Sequence, residues 1–468
     1  MEVSRRSFFG SAVGFAVAGG SQLVATGNTG AINCAPPVSG TTSCAPPVSD
    51  AQKRVPPWKK GEFQIHFIYT GVGESQFLIF PDGTTMLLDC PGNPAVNLGR
   101  DAVPILPSAK LHAGEWVARY VARVNPNKAD VDYMALSHFH QDHGGGISYH
   151  KGVTKWKGGE YYRSGFALAA EKLKFRKAID RTGPTFDDFM KDYSAPGATM
   201  KNLEQLYRHL MERDGLALEK FRLGATDQVV PLRGGCEGFS VSNVLGNGMV
   251  AKPDGGTVDI FNGNYDNLKK MQGFENPLSV GYVFRYGAFS YGTFGDFNAR
   301  ASDGKLVEKK AAPYMPRVTV AKMNHHGCGG SHPRVWVEAL SPKVWIGAVW
   351  HQHHLDPYTL AKLGTINCAP PVAGGTRCRA TESNSTGGSQ LVATETDLPL
   401  LCPTVFPSER RIAAILANEP WLPRVVPASF RGGHVVVTVP PGGKTFTVRY
   451  LDAGDEKMSV AFEKEIPA

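Results

Sequence analysis

Apolar residues along this chain fall mostly in short runs closed by glycine, proline or polar clusters, the pattern of buried strands, and only a few stretches carry helical spacing. Gln76 to Phe80 and Thr85 to Asp89, either side of the turn Pro81-Asp82-Gly83, predict a pair of strands after a sheet that opens near Glu62. Val131 to Ser137 (VDYMALS), Val318 to Met323 and Val344 to Val349 predict three more. Leu278 to Phe294 reads as a β-hairpin turning at Tyr286-Gly287, and a second hairpin is expected from His434 to Val439 and Thr445 to Leu451 around Pro440-Pro441-Gly442-Gly443. Helical spacing is seen in Ala167 to Ile179 and in Lys201 to Arg213, whose apolar stripe is Leu203, Leu206, Tyr207, Leu210 and Met211. Strands mixed with helices predict an α/β fold.

The chemistry collects where these strands end. Val131 to Ser137 runs directly into His138-Phe-His140-Gln-Asp142-His143, followed by Gly144, Gly145 and Gly146. In an extended segment His138 and His140 point to one side and can share a metal ion, while Asp142 and His143 come where the chain can turn and address a second ion. The glycines let backbone approach the cluster without Cβ bulk. The hairpin delivers Asp296 at the end of its second strand, a candidate bridging carboxylate, and the Val318 to Met323 run ends in Asn324-His325-His326-Gly327. His351, His353, His354 and Asp356 follow the Val344 to Val349 run. His66, His112, His209 and His434 are read as ordinary structural or surface histidines.

The run His138, His140, Asp142, His143 resembles the HxHxDH signature of the metallo-β-lactamase superfamily. Ile68 to Ser75 (IYTGVGES), Asn276 to Asp296 and Lys322 to Gly327 (KMNHHG) are similar to the hydrolase domain of DNA-uptake competence proteins and related phosphodiesterases. The resemblance spans roughly residues 62 to 360 and implies a four-layer αβ/βα sandwich with metals along one edge of two sheets. It implies His138, His140, Asp142, His143, Asp296 and His326 as metal ligands, Asp142 and His325 in catalysis, and Asn276 and His354 near substrate. Two departures stand out. Tyr69 occupies a position where relatives often carry an acidic residue, and the third histidine many relatives give the first metal has no counterpart but His209.

Organisation follows from composition shifts. Ser4-Arg5-Arg6-Ser7-Phe8-Phe9 resembles a twin-arginine export signal, so residues 1–26 are expected to be a signal peptide and 27–61 a proline-rich linker. Residues 62–363 form the metallo-β-lactamase-like domain, with a helical insertion over 150–240; 364–408 read as a flexible insertion and 409–468 as a C-terminal β segment. The export machinery is then a partner, and the expected location is periplasmic or extracellular in a bacterium. Gly10 to Ala25 is too short and glycine-rich to span a membrane comfortably. The 42% hydrophobic content fits an ordinary globular protein, and a net charge of +8 over 468 residues does not mark a nucleic-acid binder; nucleic acid enters only as a candidate substrate.

Eight cysteines fit an oxidising compartment. Ile32 to Cys44 recurs as Ile366 to Cys378, and Gly19 to Thr26 as Gly387 to Thr394. Disulfides Cys34 with Cys44 and Cys368 with Cys378 are one reading of this; a copied low-complexity stretch is the other.

The insertion opens with Lys151, Lys155, Trp156, Lys157, Tyr161, Tyr162 and Arg163, either a cradle for phosphate and a ring or a solvated edge. Two divalent ions would make the chain a hydrolase. Zinc suits the nitrogen-rich ligands, with manganese or iron as alternatives. A phosphodiester is the leading substrate class, a lactone, β-lactam or other carboxylic ester or amide the second; a binding protein without catalysis is the third reading.

Overall fold

The computed structural model describes residues 54–92, 103–146, 153–188, 194–265, 275–299, 306–352, 354–355, 359, 363, 400–405, 433–454 and 456–468. The signal, most of the linker, Lys151, His353, Asp356 and the four cysteines of the repeated segments lie outside them.

Seventeen strands build two sheets among the described residues. The first has the order β17-β16-β15-β1-β2-β3-β4-β5-β6. Its members are β1 (Phe63–Phe67), β2 (Gln76–Ile79), β3 (Thr85–Leu88), β4 (Asp130–Ala135), β5 (Lys174–Asp180), β6 (Ala217–Lys220), β15 (Gly433–Val439), β16 (Thr445–Asp452) and β17 (Val460–Pro467). The second has the order β14-β13-β12-β11-β10-β7-β8-β9. It comprises β7 (Phe239–Gly246), β8 (Met249–Ala251), β9 (Thr257–Asp259), β10 (Gly281–Tyr286), β11 (Phe289–Thr293), β12 (Val320–Lys322), β13 (Val344–Gly347) and β14 (Leu400–Pro403). Strands β3 to β6 run parallel in the first sheet and β11 to β14 parallel in the second, the rest antiparallel.

Strand alternation decides which core each residue joins. Phe63, Ile65, Phe67, Leu78, Met86, Leu88 and Tyr133 of the first sheet face Val241, Tyr282, Phe284, Tyr291, Val320 and Ile346 of the second, forming one apolar layer between them. Phe63 sits at the centre, 5.1 Å edge-on from Phe239 and 6.0 Å from Phe284. The intervening residues face outward. Phe77, Ile79, Leu87 and Met134 pack with Val117 and Val121 of the helix Ala113–Val124 and with Leu203 and Leu206 of the helix Ser194–Asp214. Ala321 and Trp345 pack with Val307 of the helix Val307–Ala311 and Trp336 of the helix Arg334–Leu340. Helix, sheet, sheet, helix is the four-layer αβ/βα sandwich of the metallo-β-lactamase type.

Several elements differ from the sequence reading. Ala167 to Ile179 is helical only over Phe166–Ala169; Lys174–Asp180 is strand β5, beside β4. Phe175 and Ala178 bury on the outer face and Ile179 between the sheets, so tertiary pairing overrides a spacing that also suited a helix. Leu400–Pro403, inside the span read as a flexible insertion, is strand β14 on β13. The C-terminal hairpin pairs with β1 through β15, and β17 extends the same sheet.

Histidines 66 and 434 are buried at the first sheet's outer face, as the structural reading supposes. His66 lies 2.9 Å through Nδ1 from the Tyr120 hydroxyl and 3.1 Å through Nε2 from Gln64, and His434 Nδ1 accepts from the Tyr69 amide at 3.0 Å. Burial, assisted by mutual repulsion for His66 and by Arg123 for His434, pushes both down from 6.5 to about 3. The unfolded chain therefore takes up protons below pH 6.5 that the native state refuses, and stability falls as pH drops from 6.5 towards 3. The expected loss is about 2 kcal/mol per histidine by pH 5. Chemical denaturation at pH 7 and pH 5 checks it: the difference should shrink in His66→Gln and His434→Gln.

Candidate metal centre

Every parallel strand near the middle of the sandwich ends at the same edge and hands over to a loop carrying a polar group. Strand β3 is followed by Asp89, β4 by Ser137 and His138, β11 by Asp296, β12 by Asn324 to Gly327. Glu74 precedes β2, whose antiparallel pairing with β3 brings its start to this edge. Loops touch here without side chains between them: Gly295, at φ 52, could carry no Cβ without lying 2.9 Å from that of Ser137.

The histidines arrive with their tautomers fixed. Ser137 Oγ donates to Asp89 Oδ2 at 2.7 Å and lies 3.0 Å from His138 Nδ1, so that nitrogen donates to the hydroxyl. His143 Nδ1 donates to Asp89 Oδ2 at 2.8 Å, and His326 Nδ1 to the Ala348 carbonyl at 2.9 Å. In their neutral form all three rings thus turn a bare Nε2 to the centre, as metal-binding imidazoles do.

Around those nitrogens the spacing is that of a coordination shell. His143 Nε2 lies 3.2 Å from His326 Nε2, 3.2 Å from Asp296 Oδ2 and 3.7 Å from Asp142 Oδ2. His326 Nε2 lies 3.1 Å from Asp296 Oδ2 and 3.3 Å from Asp142 Oδ2. A tetrahedral shell at zinc's reach of ~2.1 Å has edges of about 3.4 Å, so these four donors fit one ion. His138 Nε2 stands 3.9 Å from Asp296 Oδ2 and 3.1 Å from His140 Nδ1. A second cluster of donors thus shares the same carboxylate oxygen. Glu74, His143, Asp296 and His326 each bring a donor atom within 4.8 Å of the others, a cluster that suits one or two divalent ions.

Three groups here were not singled out from sequence: Glu74, Asp89 and Lys322. Lys322 is fully buried, with Nζ 2.6 Å from Glu74 Oε2, 2.7 Å from the Gly295 carbonyl and 3.4 Å from Asp296 Oδ1. Binding Oδ1 leaves Asp296 Oδ2 aimed at the histidines. Glu74 Oε1 accepts from Gln76 at 2.7 Å, and its other oxygen lies 3.4 Å from His326 Nδ1, behind the ring rather than at Nε2. Glu74 is therefore a charge partner of Lys322 here and Asp142 the better fourth donor. Tyr69, in the same loop as Glu74, donates its hydroxyl to the Pro104 carbonyl.

Burial by itself would hold His143 and His326 neutral, but Asp296 and Asp142, joined at His143 by Asp89, outweigh it and raise both, His326 to about 9. The converse holds for Asp142: burial opposes its charge, yet His143 and His326 bring it down to about 2. A proton here occupies the place a cation would take, so the two compete.

His325 and His326 both adopt left-handed backbone, φ 47 and 51, which non-glycine residues hold only under constraint. His326 points to the donors. His325 Nδ1 lies 3.3 Å from Asn298 Nδ2 and so accepts from it, leaving the hydrogen on Nε2, and burial above all lowers its pKa to about 4. At neutral pH it is a neutral hydrogen-bond donor. His354, expected near substrate, is buried and stacks on His326 at 4.8 Å and 13°. Asn276 is buried beside Glu275, which accepts from the Phe139 amide at 3.2 Å between the first two histidines. His209 stays away from the donors, against Trp156 at 4.3 Å. Two cations of the basic run are paired: Lys155 with Glu160 at 2.8 Å and Arg163 with Glu171 at 2.5 Å, while Trp156 stacks on Tyr161.

No family model matches the chain, and no curated protein matches it. Among solved structures it is similar to zinc-bound PqqB from Methylobacterium extorquens, at 11% identity over 56% of this chain and 72% of that one, with a TM-score of 0.28.

Proposed function

We propose that this chain is a metal-dependent hydrolase of the metallo-β-lactamase superfamily with a dinuclear centre, zinc being the ion its nitrogen donors suit best. What carries the reading is the shell of His143, His326, Asp142 and Asp296, five of whose donor separations fall between 3.1 and 3.7 Å. Divalent ions held there would polarise the bond to be cleaved and lower the pKa of a water to near neutrality. The chain's own groups do the rest. Asp89 and the Ala348 carbonyl hold one hydrogen of each of two imidazoles on Nδ1 and so turn Nε2 towards the ions, Lys322 holds Asp296 in place, and His325 offers its Nε2 hydrogen to negative charge developing on a leaving oxygen.

A phosphodiester remains the leading substrate class, on the similarity to competence-type hydrolases. The pairing of Lys155 and Arg163 with glutamates favours the second reading, a lactone, β-lactam or other carboxylic ester or amide, since it leaves those cations little charge to offer a phosphate. Export through the twin-arginine route rests on Ser4 to Phe9; among the described residues no helix is long and apolar enough to cross a membrane.

Purified protein assayed against a chromogenic phosphodiester, a lactone and a cephalosporin should turn over one class. Chelator should abolish that turnover and zinc restore it. Turnover unaffected by chelator, or zinc-loaded protein inert towards all three, would contradict the hydrolase reading.

A further inference from the structure

Left-handed backbone at His325, His326 and Gly327 in succession is strained at the two histidines and needs something to hold it. The residue before them supplies the hold. Asn324 is wholly buried, and its Nδ2 donates to the Phe297 carbonyl at 3.0 Å and to Glu308 Oε1 at 3.1 Å. Phe297 directly follows Asp296, so one amide group joins the loop bearing the carboxylate to the loop bearing His326. Glu308 Oε1 also accepts from the His332 amide at 2.9 Å, and His332 Nε2 accepts from the Asn324 amide at 3.1 Å, closing a ring of three residues behind the metal ligands. Both partners of Nδ2 are pure acceptors, which fixes the amide's orientation. Its Oδ1 is buried and finds no partner among the described residues, so the side chain serves here by what it donates.

We propose that Asn324, gripped by Glu308, is a positioning residue that sets the separation of Asp296 from His326 and through it the affinity for metal. This rests on the metal-centre reading above. Asn324→Asp keeps the shape but turns an oxygen against two acceptors, and Glu308→Ala removes one of them. Glu308→Gln retains a carbonyl able to accept from both Asn324 and His332.

The test is zinc affinity of the full chain, by competition with a chromogenic chelator, alongside thermal unfolding of the metal-free protein. Asn324→Asp and Glu308→Ala should weaken zinc binding about 10–100-fold, with Glu308→Gln close to the parent. If Asn324→Asp does not fold, the two Glu308 variants decide alone. Lowered thermal stability with unchanged zinc affinity in folded protein would assign the ring to stability and overturn the proposal. A parent protein that takes up no zinc would instead defeat the metal-centre reading, and the proposal with it.

Discussion

Asp296→Ala is expected to strip the centre of metal and activity together. Its Oδ2 lies 3.1 Å from His326 Nε2, 3.2 Å from His143 Nε2 and 3.9 Å from His138 Nε2, so a single oxygen serves both groups of donors. Removal also leaves Lys322, fully buried, without one of its two carboxylates. A buried cation beside the site repels divalent ions, which adds electrostatic loss to the loss of a ligand. The effect on zinc affinity should exceed the roughly 10–100-fold typical of a residue that only orients a ligand, and chelator-sensitive turnover should disappear. Metal content of the purified variant, set against Asp142→Ala, checks it. Asp142 Oδ2 lies 3.7 Å from His143 Nε2 and 3.3 Å from His326 Nε2, while Asp296 Oδ2 also faces His138, so the Asp142 variant should retain more metal than Asp296→Ala does.

Gly145→Ala should cost about 2–6 kcal/mol of folding stability, the sum of backbone strain and overpacking. The residue has φ 80, and a Cβ there would meet the Ser164 carbonyl at 2.6 Å and Gly165 Cα at 2.7 Å, backbone atoms that cannot swing away. Gly165 in turn packs against the Cys90 carbonyl, so three chain segments meet behind the histidine loop without side chains. Gly215→Ala is the matched control. It has φ 71 with nothing within 4 Å of its would-be Cβ, so it should lose only the strain component. Denaturant unfolding of both variants separates space from dihedral angle.

Much of the site was legible because strand-end loops advertise themselves: an apolar run that stops at histidine or aspartate has little other explanation. His138, His140, Asp142, His143, Asp296 and His326 all stood at such ends. Glu74 did not, since it sits among glycines in a loop entering a strand, and only the antiparallel return of β2 carries it to the metal edge. Lys322 was read only as part of a strand-like run and of the Lys322 to Gly327 stretch, with no role of its own; a buried cation is tolerable there because Glu74 and Asp296, distant in sequence, close on it. Asp89 ended a strand too, yet nothing local shows that Ser137 and His143 will converge on its oxygens. In the fold, Lys174–Asp180 and Leu400–Pro403 were missed for one reason: both are set by pairing with strands that lie far away in the chain.

The most direct test is an anomalous-scattering map from crystals of zinc-loaded protein. The expected result is a peak ~2.0–2.2 Å from His143 Nε2, His326 Nε2, Asp142 Oδ2 and Asp296 Oδ2, with a second between His138 and His140 sharing Asp296. Zinc bound elsewhere, or those donors closed on one another with no peak among them, would contradict it.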